Sequence, residues 1–103
     1  MKTQTQLKRR PTAPRIAVEY PREGELITSS RYTFHIDGSA RVEIAIDGDD
    51  WRPCRRSDGY WCFDWSGYDS GRHQAIVRTA PLTGEPATRT CRFLVELPQS
   101  RAR

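Results

Sequence analysis

No apolar run in the sequence reaches the ~18 residues that a membrane-crossing helix needs. The first ten residues carry positive charge, but no hydrophobic stretch follows them. They do not read as a secretory signal, and the expected location is cytoplasmic. Catalytic signatures are missing as well. No serine sits in a nucleophile-elbow motif, and no glycine loop matches a phosphate cradle. The only histidines are His35 and His73, and no local signature pairs either with a cysteine as a nucleophile–base couple. The three cysteines, Cys54, Cys62 and Cys91, have no Cys-x-x-Cys spacing, which argues against a zinc site. Their odd number is poor material for a disulfide framework, and free thiols are expected in a reducing compartment. A single pair, Cys54 with Cys62 across a hairpin, stays open beside that expectation. No stretch repeats apolar residues at helical spacing over three turns. The expectation is therefore a protein without catalytic residues, cofactor or metal.

Acidic residues are missing from both ends. Residues 1–15 hold Lys2, Lys8, Arg9, Arg10 and Arg15, and residues 98–103 hold Arg101 and Arg103. All 13 acidic residues lie in 16–97, beside the other 10 of the 17 basic ones (17 − 5 − 2). A body of about −3 thus carries ends worth +7, for a net +4. Such ends attract phosphate-bearing or acidic partners without reading a base sequence. They also serve solubility alone.

What is present is a series of short β-type segments. Residues 15–20 read RIAVEY, 31–36 read RYTFHI and 41–46 read RVEIAI. Residues 60–65 read YWCFDW, 73–78 read HQAIVR and 88–97 read TRTCRFLVEL. Apolar side chains alternate in them: Tyr32, Phe34 and Ile36; Val42, Ile44 and Ile46; Trp61, Phe63 and Trp65; Cys91, Phe93, Val95 and Leu97. Residues 25–28 and 51–54 add shorter pieces. Turn residues separate the segments, with Asp47-Gly48 the strongest hairpin signal and Asp37-Gly38 a second turn. Residues 55–59 read as a polar turn. Seven or eight short strands in this length point to an all-β, immunoglobulin-like antiparallel sandwich of about seven strands. A small barrel is the other architecture of this pattern. The division is a basic N-terminal arm over 1–13, a sandwich domain over 14–97 and a basic C-terminal tail over 98–103.

Three stretches carry a family resemblance: VEIAIDGDDW at 42–51, GYWCFDW at 59–65 and GRHQAIVRT at 71–79. They resemble bacterial immunoglobulin-like domains. There, a strand ending in Asp-Gly leads to a Trp, a Gly-x-Trp strand ends in Asp-Trp, and a Gly-x-His opens the penultimate strand. The opening PRIAVEYPREGELIT at 14–28 looks like the first strand and turn of such a module. The resemblance implies the fold, and it implies a spacer, adhesin or accessory role rather than one activity. This chain differs from such modules in its basic ends and its three cysteines.

The candidate binding residues are aromatics and their neighbouring arginines: Trp51, Arg52, Arg55, Arg56, Tyr60, Tyr68 and Arg72. Lys8, Arg9 and Arg10 form a separate basic group in the arm. Trp, Tyr and Arg are the residue types enriched at protein-binding hot spots. Aromatics also stack on nucleobases and sugar rings. The first expectation is a non-catalytic module that offers a face or an edge strand to a protein partner. Nucleic acid held by the basic tails and carbohydrate held by Trp51, Tyr60 and Tyr68 are the alternatives. The plain structural role for Trp51 is packing across its hairpin against Tyr60. Asp47, Asp49 and Asp50 crowd one turn. They read as solvated carboxylates of a type I′ hairpin, because the pattern of a twelve-residue calcium loop is missing.

Overall fold

A computed structural model describes residues 15–82 and 84–98. Among them are nine strand segments and no helix: β1 (Ile16–Tyr20), β2 (Leu26–Ile27), β3 (Arg31–Gly38), β4 (Val42–Ile46), β5 (Arg52–Pro53), β6 (Arg55–Ser57), β7 (Tyr60–Ser66), β8 (Gly71–Thr79) and β9 (Thr88–Val95). They form a four-stranded sheet in the order β1-β3-β7-β6 and a five-stranded sheet in the order β2-β9-β8-β4-β5. Two pairs of segments are single strands that change sheets. β1 passes to β2 through the turn that begins at buried Pro21, and β5 passes to β6 at Cys54. Counting each pair once turns nine segments into seven strands (9 − 2) of an immunoglobulin-like sandwich. All pairings are antiparallel except β2 with β9, where Leu26 faces Leu94 and Ile27 faces Val95.

The alternation seen in the sequence sets the core. Phe34, Ile36, Val42, Ile44, Ala75 and Val77 are fully buried, and Ile16, Cys91, Phe93 and Val95 nearly so. Phe34 meets Tyr32, Trp65 and Phe93 edge-on at centroid distances of 5.6–5.7 Å. Each such aromatic removes a large apolar area from water, about 1.5–3 kcal/mol per side chain before entropy is counted. Thr79 is the buried polar residue of the core, and it is satisfied. Its N–H donates to the Ala87 carbonyl and its Oγ1 accepts from the Ala87 N–H, both at 2.9 Å, pinning the loop between β8 and β9.

Two local expectations are corrected, and a third choice is decided. Residues 55–59 are not a plain turn. β6 pairs with β7 around a two-residue Asp58-Gly59 turn, with Ser57 opposite Tyr60. The positive φ of both turn residues, 51° and 83°, matches the right-handed twist of the strands. Arg55 and Arg56 hid this strand in the sequence, because an exposed edge strand needs no apolar residue. Asp37-Gly38 ends β3 rather than turning the chain. Gly38 is required there, since a Cβ would stand 2.6 Å from Val42 Cγ2. Cys54 and Cys62 are both buried free thiols rather than a disulfide, and Cys91 is a third.

Candidate functional site

The candidate residues occupy five separate places. Arg55 and Tyr60 lie on the outer face of the four-stranded sheet. There Arg55 donates to both carboxylate oxygens of Asp64 at 3.0–3.2 Å, and Thr33 Oγ1 donates to Asp64 Oδ1 at 2.8 Å. These bonds, from Arg55 first and Thr33 second, hold the Asp64 carboxyl below its ordinary range. Tyr60 meets the His35 ring edge-on at 5.5 Å, and Tyr20 meets it at 5.9 Å. Arg56 turns the other way and stands 5.2 Å over the Trp61 ring. Arg52 borders a cleft between the sheets.

Trp51 does not pack against Tyr60. It lies beside the outer face of the five-stranded sheet, where the Arg78 guanidinium sits 3.9 Å over its ring. Arg78 in turn donates to Glu43 Oε1 from Nε at 2.9 Å and from a terminal nitrogen at 2.8 Å. Trp51 and Tyr60 thus part company, because β5 belongs to one sheet and β7 to the other. Tyr68 is a structural residue. Its ring stacks on Trp65 at 3.8 Å and its hydroxyl donates to the Ser29 carbonyl at 2.7 Å. Trp51, Tyr60 and Tyr68 therefore form no common platform. Lys8, Arg9 and Arg10 lie outside the described residues.

Arg72 marks the outer face of the five-stranded sheet, and here the structure assembles what the sequence left scattered. Arg72 is paired with Leu94, and Leu94 with Leu26 across β2. Leu26, Leu94 and Trp51 are three of the five large apolar side chains exposed among the described residues, at 50%, 41% and 38%. Ile76, half-buried, lies on the same face farther along β8, opposite Thr90 and Ala45 and beyond Gln74 and Arg92. A depression of about 440 Å³ is lined by Arg72, Gln74, Arg92 and Leu94 among others. Leu26, Ile76 and Leu94 escaped the sequence reading because they stand out of phase with the core residues of their strands. That phase is the signal that would have found them.

Polar chemistry concentrates at the β4–β5 hairpin. Asp47 has φ 54°, and its exposed carboxylate is also held by two hydrogen bonds. Its Oδ2 accepts from His73 Nδ1 at 2.6 Å and its Oδ1 from the Gln74 N–H at 3.0 Å. His73 Nε2 donates to the Asp69 carbonyl at 2.8 Å. Both ring nitrogens face acceptors, so the ring is satisfied only as imidazolium. Burial is the largest single influence and lowers its pKa. The bonds and charges of Asp47 and Asp69 together outweigh burial and raise the value above 6.5. This couple braces two loops, and among the described residues no Ser, Thr or Cys side chain is hydrogen-bonded to it. Cys54 and Cys91 are poor nucleophiles too, since burial pushes Cys54 up to about 12 and Cys91 up to about 11. Among the described residues no group of three or more His, Cys, Asp or Glu is placed to hold a metal ion.

No protein-family model matches the chain, and no curated protein matches it in sequence. Solved structures match its fold. An engineered protein superposes with a TM-score of 0.69 at 15% identity, over 85% of this chain and 21% of its own. The chain thus spans about a fifth of that protein. The fibronectin(III)-like modules of Clostridium thermocellum CbhA superpose with a TM-score of 0.66 at 15% identity, over 82% of this chain and 100% of theirs. At this identity the likeness establishes the immunoglobulin-like, fibronectin(III)-like sandwich and nothing about activity.

Proposed function

We propose that the chain is a non-catalytic interaction module whose five-stranded sheet offers its outer face to a protein partner. The observation that carries this reading is the exposed pair Leu26 and Leu94, side by side on the outer face of the five-stranded sheet and flanked by Arg72 and Arg92. Exposed apolar side chains scattered singly need no explanation, but a group rimmed by cations is the make-up of a protein-binding surface. Arg72 makes no ion pair among the described residues, so a partner with apolar side chains flanked by carboxylates fits best. The motif resemblance at 42–51, 59–65 and 71–79 supports a bacterial accessory module, and the three free thiols suit the reducing cytoplasm.

The test is comparative capture from host lysate with the wild type, with the double variant L26E/L94E and with Y60E on the opposite face. The expected outcome is one stoichiometric protein held by the wild type and Y60E and lost by L26E/L94E. Equal recovery by all three would refute the assignment of this face. Nucleic acid bound by the acid-free ends is the second reading, favoured by their seven cations. It requires nuclease-sensitive capture that weakens steeply with salt and ends when residues 1–13 are removed.

A further inference from the structure

The two flanks of the sandwich are closed to different extents. On one, β1 continues into β2, and Arg89 Nε donates across to the Ile16 carbonyl at 3.2 Å. On the other, the strand made of β5 and β6 changes sheets at Cys54, whose N–H donates to the Val42 carbonyl at 3.0 Å. β6 therefore covers β7 only from Tyr60 to Cys62, and β5 covers β4 only at Glu43 and Ile44. Among the described residues, 63–66 of β7 are paired with β3 on one side and with no strand on the other.

A cleft of about 290 Å³ opens along this uncovered edge. Ile44, Ile46, Phe63 and Trp65 line it from the core faces of the two sheets, and Asp49, Asp50, Arg52, Asp64 and Ser66 complete it. Three carboxylates thus stand against one guanidinium in the lining. Asp49 and Asp50 make no ion pair among the described residues, whereas Asp64 is neutralised by Arg55.

We propose that this flank accepts an extended, basic segment of a partner protein, which adds to residues 63–66 of β7 as a further strand. The backbone supplies the first reason, since an uncovered edge presents N–H and C=O groups in the spacing that another strand satisfies. The sequence of the edge supplies the second. Residues 63–66 read FDWS and contain neither the proline nor the lysine with which edges are commonly blocked. The cleft supplies the third. A strand sends alternate side chains to opposite faces, so every second residue of the incoming segment enters between Ile44, Ile46, Phe63 and Trp65. The residues between them point to the outer side, and basic ones there are favoured by the negative field of Asp49, Asp50 and Asp64 against the one guanidinium of Arg52. This site is distinct from the outer face of the five-stranded sheet, so each of the two proposals fails or stands alone.

The test uses the full chain and two synthetic peptides of about six residues, the common strand length. One alternates valine with arginine, and the other alternates valine with glutamate. Amide hydrogen exchange is followed residue by residue. The expected result is that the arginine peptide slows exchange within residues 63–66 by at least about tenfold and leaves Arg72 and Leu94 unchanged. The double variant D49K/D50K, altered at two exposed turn positions, is expected to bind that peptide at least about tenfold more weakly. Equal binding of the glutamate peptide, protection confined to other strands, or no binding overturns the proposal. Protection of 63–66 already present in the unliganded chain, and lost when residues 1–13 are removed, also overturns it by making the chain's own arm the occupant.

Discussion

His73, on β8, holds Asp47 in the β4–β5 turn through a 2.6 Å bond from Nδ1, while its Nε2 holds the Asp69 carbonyl in the preceding loop. One ring thereby ties together the two loops at one end of the sandwich, and Trp65, Tyr68 and Phe93 pack around it. The folded-state pKa of His73 is raised above 6.5. Its contribution is then fully present below the unfolded value and is lost as pH rises through the folded one. Stability is expected to decline over that window, and H73Q is expected to flatten the decline. Below the window H73Q costs about 1.5–3 kcal/mol, the usual worth of a charge-assisted bond. Urea unfolding at several pH values checks both, and a wild type and variant with parallel pH profiles would remove the imidazolium from this account.

Gly38 is a second sensitive point. Its missing Cβ leaves room for Val42, a fully buried residue of the core. G38A is expected to overpack that corner and to cost about 1–3 kcal/mol in denaturant unfolding. A variant as stable as the wild type would mean that Val42 shifts freely.

Phe34 sits where three aromatic rings converge. F34A is expected to lose about 3–5 kcal/mol, from transfer of the ring and from the cavity left behind. For a domain of this size that is a large share of total stability, so the melting transition is expected to shift far down or to lose cooperativity.

Trp51 is the opposite case, half-exposed beneath Arg78. W51A is expected to cost no more than about 1 kcal/mol, the ordinary range of an exposed cation–π contact. R78A is expected to change Trp51 emission, which fluorescence of the wild type and variant compares directly.

The three thiols are buried, and burial raises Cys54 and Cys91 well above the ordinary cysteine value. A thiol-specific chromogenic reagent at neutral pH is expected to react slowly with the native chain and at once with all three cysteines in denaturant. Rapid labelling of Cys54 in the native state would contradict its burial.

The sequence by itself determined the fold class, because alternation in residues 31–36, 41–46 and 88–97 leaves only a half-buried strand for each. It determined the Asp47-Gly48 hairpin as well, since that pair tolerates the positive φ the turn demands. Alternation states which side chains share a face of one strand, but not which strands share a sheet. Only the tertiary structure decided that β5 and β6 belong to different sheets, and with that it separated Trp51 from Tyr60. It also brought Leu26 beside Leu94 and Asp47 beside His73, contacts between residues far apart in the chain. The uncovered edge of β7 was decided in the same way. An edge exists only through the neighbour a strand fails to find, and that is a property of pairing between distant segments rather than of any one of them.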